Sequence, residues 1–61
     1  MSQSMRLPEI MGIVRRDGRV SVEALAEHFD VTLQTIRRDL TELAAQGKLE
    51  RVHGGAVLHS N

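Results

Sequence analysis

Leu33, Ile36, Leu40 and Leu43 recur with polar residues between them in the stretch T-L-Q-T-I-R-R-D-L-T-E-L-A-A-Q-G. That spacing makes one apolar stripe on a helix of 3.6 residues per turn. Thr32 stands just before the stripe, where its hydroxyl can accept an orphan backbone N–H as an N-cap. Gly47 closes the run, because a left-handed residue ends a helix cheaply. A helix is therefore expected over 33–46, with the stripe in the core. Gln34, Thr35, Arg37, Arg38 and Thr41 lie opposite it.

The same pattern organises the rest of the chain. Residues 1–6 show no periodicity and read as a flexible N-terminus. Leu7-Pro8 marks the first helix start, since proline suits the first helical position and restrains the residue before it. Ile10, Ile13 and Val14, with Met11, form the stripe of that helix, and Asp17-Gly18 stops it. Val20 stands alone between a glycine and a cap, which allows one short strand. Ser21 then caps a second helix over 22–29, whose Val22, Leu25, Ala26 and Phe29 share a face. Only Asp30 and Val31 separate it from the Thr32 cap. After Gly47 the period shortens: Leu49 to Val52 alternates, His53-Gly54-Gly55 makes a turn, and Ala56 to Leu58 forms a second short run. Gly-Gly permits the positive φ angles of a tight hairpin. The expected fold is mainly α with a small β-hairpin wing, a three-helix winged helix-turn-helix over 7–58. Residues 59–61 read as the start of a linker.

Composition narrows the function. Sixty-one residues with 41% hydrophobic content and one phenylalanine support a single small, aliphatic core. The absence of cysteine suits a reducing, cytoplasmic setting and leaves no thiolate for metal. No apolar run approaches the roughly 20 residues of a membrane span. Eight basic residues balance eight acidic ones, whereas a DNA-binding domain is usually basic. The distribution offsets this slightly: residues 31–61 hold four bases against three acids. Phosphate affinity from one copy should be weak, so a second copy is expected to be needed.

T-I-R-R-D-L at Thr35 to Leu40, followed by R-V-H-G-G-A at Arg51 to Ala56, closely resembles the DeoR family of bacterial transcriptional regulators. V-S-V-E-A-L-A at Val20 to Ala26 and the G-K-L before the wing add to the likeness, which covers roughly Arg6 to Val57. Thr32 departs from the usual serine but keeps the hydroxyl, and Pro8 is unusual for the first helix. The resemblance implies the DNA-binding module of a regulator, with a repressor the expectation. It further implies a C-terminal domain, not contained in these residues, that binds a sugar phosphate or related metabolite and mediates oligomerisation. The full regulator is then expected to be a homo-oligomer and the isolated domain a monomer.

The candidate DNA-binding residues are Thr32, Gln34, Thr35, Arg37, Arg38, Arg51, His53 and Gly54. Arginine pairs bidentately with guanine or clamps phosphate with its planar fork. Arg37 and Arg38 carry the strongest case; the alternative for Arg38 is a pair with Glu42 one turn on, worth at most about 0.5 kcal/mol. Gln34 suits adenine, or is simply a solvated side chain. Thr32 and Thr35 sit where hydroxyls and free N–H groups receive phosphate. His53 and Gly54 form the wing tip, able to approach the backbone or minor groove. Gly55 reads as glycine for turn geometry alone. Arg51 is a phosphate clamp or a solvated strand face. Asp39, an acid on the reading helix, reads as structural, turned sideways to meet an arginine of another helix. No catalytic triad, cofactor motif or metal-ligand spacing is present among the histidines and serines. The rival reading is a winged-helix protein-interaction module, supported by the neutral net charge.

Overall fold

The computed structural model describes residues 2–58. Among them the order is α1 (Gln3–Asp17), β1 (Arg19–Ser21), α2 (Val22–Phe29), α3 (Leu33–Ala45), β2 (Leu49–Val52) and β3 (Gly55–Leu58). The three strands form one antiparallel sheet in the order β1-β3-β2. This is the winged helix-turn-helix, with the short strand at Val20 present and paired to Ala56. The linker expected at 59–61 lies outside the described residues.

Local chemistry explains the boundaries. Ser21 Oγ accepts from the Ala24 N–H at 3.0 Å and starts α2. Thr32 Oγ1 accepts from the Thr35 N–H at 3.1 Å and starts α3. At the far end of α3, Lys48 N–H bonds to the Leu43 carbonyl and Gly47 N–H to that of Ala44. Gly47 takes φ 76°, which completes the left-handed closure expected of it. Asp30 ends α2 at φ 57°, an uncommon conformation that a short polar side chain tolerates. That kink lets α3 follow α2 after three residues.

The core gathers one stripe from each helix: Ile10, Met11 and Val14, then Val22, Leu25 and Ala26, then Ile36, Leu40 and Leu43. Leu49 and Ala56 close it from the sheet. Phe29 and Ile13 pack at its edge, half-buried. Two expectations need correction. Leu33 is not core: the first residue of α3 is 39% exposed. Helix α1 does not begin at Leu7-Pro8. It begins at Gln3 and carries Pro8 inside, so residues 3–6 are helical rather than loose. The proline forfeits one N–H bond of the first turns. What holds that turn is tertiary: Arg6 is buried and hydrogen-bonded across to α3.

Candidate nucleic-acid interface

Helix α3 has two sharply different faces. Ile36, Asp39, Leu40 and Leu43 are buried, while Gln34, Arg37, Arg38 and Thr41 are exposed. Asp39 is the unusual member of the buried face. Its Oδ2 accepts from Arg6 Nε at 2.7 Å, and its Oδ1 accepts from Gln3 Nε2 at 3.1 Å and Arg6 Nη2 at 3.4 Å. The hydrogen bond to Asp39 raises the Arg6 pKa above its ordinary value, opposed by burial and helped by the Asp39 charge. The acid of α3 therefore meets an arginine of another helix, as expected, and is withdrawn from the outward face.

That withdrawal changes the electrostatics of the outward face. Arg37 and Arg38 side chains have no hydrogen bond or ion pair among the described residues. The Arg38–Glu42 pair weighed from sequence does not form; Glu42 instead accepts from Gln46 at 3.3 Å. Both guanidiniums are free to meet an anion. Away from this face, the exposed Arg16–Asp17 pair has its own effect: their hydrogen bond lowers the Asp17 pKa and raises that of Arg16.

The first turn of α3 presents hydroxyls and amides together. Thr32 and Thr35 share a hydroxyl–hydroxyl bond of 2.9 Å, on top of the cap bond. The N–H groups of Leu33 and Gln34 belong to the first turn, where a helix supplies no acceptor of its own. Exposed Leu33 stands among them, a surface residue that the stripe pattern had assigned inward.

The wing is a two-residue turn, His53-Gly54, rather than the three expected. Gly54 takes φ 79° and so needs to be glycine for its backbone. Gly55 belongs to β3, and its requirement is steric: a Cβ there would lie 2.0 Å from the Val20 carbonyl oxygen. The turn-geometry explanation for Gly55 is thus replaced by close approach of β1. His53 and Gly54 are exposed. Arg51 is neither a freely solvated side chain nor an unengaged clamp. Its Nη1 donates to Thr41 Oγ1 at 2.8 Å and to the Arg37 carbonyl at 3.4 Å, and its Nε to the Gly55 carbonyl at 3.4 Å. Nothing in the sequence pattern paired Arg51 with Thr41, since ten residues and a change of element separate them.

The structure therefore brings Thr32, Gln34, Thr35, Arg37 and Arg38 onto one end and face of α3, with Arg51 linking that face to the wing. Among the described residues no helix is long and apolar enough to cross a membrane. Nor do three His, Asp or Glu side chains among them gather as a metal site would require.

Comparison with known proteins agrees with this geometry. Residues 6–61 match the DeoR-like helix-turn-helix domain. The chain is 52% identical over its whole length to the glycerol-3-phosphate regulon repressor of Escherichia coli (strain K12), covering 24% of that protein. It is 52% identical over 79% of its length to the L-fucose operon activator of Haemophilus influenzae, covering 19% of it. It is 38% identical over its whole length to the lactose phosphotransferase system repressor of Lactococcus lactis, covering 24%. No solved structure matches. The chain thus spans about a quarter of the length of these relatives. With the match running from Arg6 through the wing, the chain belongs to the DeoR-like helix-turn-helix family and is a DNA-binding module of transcription regulators.

Proposed function

We propose that α3 lies in the DNA major groove with its N-terminal half against the bases, and that the wing reaches the neighbouring backbone or minor groove. Arg37 reads a base edge, the role for which a bidentate guanidinium is best suited. Arg38 meets phosphate or an adjacent base, and Gln34 reads a base one turn earlier. Thr32, Thr35 and the first-turn amides fix the helix on a phosphate. His53 and Gly54 touch the duplex at the wing tip, and Arg51 sits between the two contact regions. The observation that carries this reading is the pair of exposed arginines, whose side chains have no partner among the described residues, on the same helix as a buried Asp39 paired to Arg6.

The whole protein is proposed to be a cytoplasmic homo-oligomeric repressor without enzymatic activity. A phosphorylated sugar or related metabolite acts on it through a further domain. Repressors of phosphate-ester and sugar-uptake systems among the relatives support this reading. The Haemophilus influenzae relative is an activator, so the sign of regulation is assigned by the majority of names and not by the module.

The test is fluorescence anisotropy of the chain with duplex DNA at two salt concentrations, beside Arg37→Ala/Arg38→Ala. Wild-type binding that weakens with salt and is lost in the double variant is expected. Equal behaviour of the two proteins at low salt would remove these arginines from the interface.

A further inference from the structure

The wing presents a mechanical problem. Leu49 anchors the start of β2 in the core at 2% exposure, but Glu50, Arg51 and Val52 are all exposed. β2 is also the outer strand of the sheet, paired only with β3. Beyond Leu49 no residue of β2 is buried, Val52 being 42% exposed, so apolar packing holds the outer part of this strand against α3 less firmly than it holds Leu49. On the other side, Val22 N–H, at the start of α2, donates to the Gly54 carbonyl at 2.9 Å and ties the turn to the core. The α3 side needs a tie of its own.

We propose that Arg51 is that tie: a positioning residue that holds the wing against the reading helix by bonding to Thr41, so that both meet one duplex together. The geometry is specific. Thr41 Oγ1 donates to the Arg37 carbonyl at 2.8 Å, leaving its lone pairs to accept from Arg51 Nη1 at 2.8 Å. The contacts at 3.4 Å to the Arg37 and Gly55 carbonyls are long, so the Thr41 bond carries the tie. A charged donor on a neutral acceptor makes one of the stronger hydrogen bonds available at a surface. It lands one turn from Arg37 on the same helix, so the wing is indexed to the arginine proposed to read a base. The partner hydroxyl carries no charge, which separates this role from phosphate clamping. The inference rests on the docking proposed above only for its effect on DNA; the tie itself is a property of the free chain.

The test compares Arg51→Ala, Thr41→Val, Thr41→Ser and Arg51→Ala/Thr41→Val. In the free protein, amide residual dipolar couplings report the orientation of His53 and Gly54 relative to α3. Arg51→Ala and Thr41→Val are expected to change the wing couplings and leave those of α3 alone, while Thr41→Ser, which keeps the hydroxyl, retains the wild-type values. On duplex DNA, each of the two disruptive variants is expected to bind about tenfold more weakly. The double variant should be no weaker than Arg51→Ala, and the salt dependence of Arg51→Ala should match wild type. Additive losses, or a salt slope flattened by about 0.9 in Arg51→Ala with Thr41→Val unaffected, would make Arg51 a phosphate ligand and overturn the tie. Unchanged wing couplings in Arg51→Ala would overturn it as well. A wild-type chain that fails to bind would count against the docking proposal, and the couplings would then decide the tie alone.

Discussion

Asp39 and Arg37 sit two residues apart on α3 and do opposite things. Asp39 is fully buried and receives Arg6 and Gln3, so its negative charge is spent inside the protein. Removing that carboxylate would take from the buried Arg6 guanidinium the acceptors it meets at 2.7 and 3.4 Å, the costly way to break such a pair. Asp39→Ala is therefore expected to lower the melting temperature by roughly 10 °C or more in a domain this small, read by circular dichroism. An unchanged melting curve would mean that Arg6 finds other partners. The Arg37 side chain makes no hydrogen bond or ion pair among the described residues, so Arg37→Ala, which keeps the carbonyl that Thr41 and Arg51 reach, should leave the melting curve in place. Its expected cost falls on specific DNA affinity, about 1–3 kcal/mol, with relaxed preference at one base position in a selection of binding sites. Selected sites identical to those of wild type would assign Arg37 to the backbone instead.

At the scale of elements, the wing depends on two neighbouring glycines for different reasons. Gly54 must hold φ 79°, whereas Gly55 must let the Val20 carbonyl pass where a Cβ would be. The second constraint is the harder one, because the obstructing atom is backbone and cannot rotate aside. Gly55→Ala is expected to destabilise the chain by about 1–3 kcal/mol, as β1 and β3 are pushed apart. Gly54→Ala should cost about 1 kcal/mol, the strain of a left-handed alanine. Denaturant melts of the two variants would order them, and a Gly55→Ala chain as stable as wild type would show that β1 can yield. Helix α1 makes the complementary point. Its first turn, ahead of Pro8, is held by what Arg6 and Gln3 reach on α3 and not by any stripe of its own.

For the molecule as a whole, net charge is a poor guide and its placement a better one. The balance of eight against eight suggests indifference to DNA. Folding neutralises Asp39 internally and leaves Arg37 and Arg38 outward, so the reading surface is more positive than the chain. Two such contacts release few counterions, and the logarithmic salt slope for one copy should be only about −2. One copy is then expected to bind weakly, and linking two copies is expected to supply what charge does not. A tandem fusion of two copies on a flexible linker is expected to bind a duplex with two half-sites about 10²–10⁴-fold more tightly than one copy. Anisotropy titrations with half-sites about 10 base pairs apart would measure this. Equal affinity of fusion and single copy would argue against paired binding.

The sequence by itself determined the elements, because caps, stripes and stop signals are local. Ser21, Thr32 and Gly47 announce their helix ends, and the outward set on α3 follows from helical period alone. It also marked Asp39 as structural and turned toward an arginine of another helix, since an acid on a helix meant to approach DNA would repel phosphate. What only the tertiary structure decided was which groups meet across elements. Arg6 came from the stretch with no pattern to reveal it, and Thr41 turned out to be the partner of Arg51. Leu33, on the apolar stripe by period, is 39% exposed at the first position of α3. Gly55 owes its identity to a strand more than thirty residues earlier in the chain. These are contacts between distant residues, and periodicity, which compares each residue only with those a few positions away, carries no information about them.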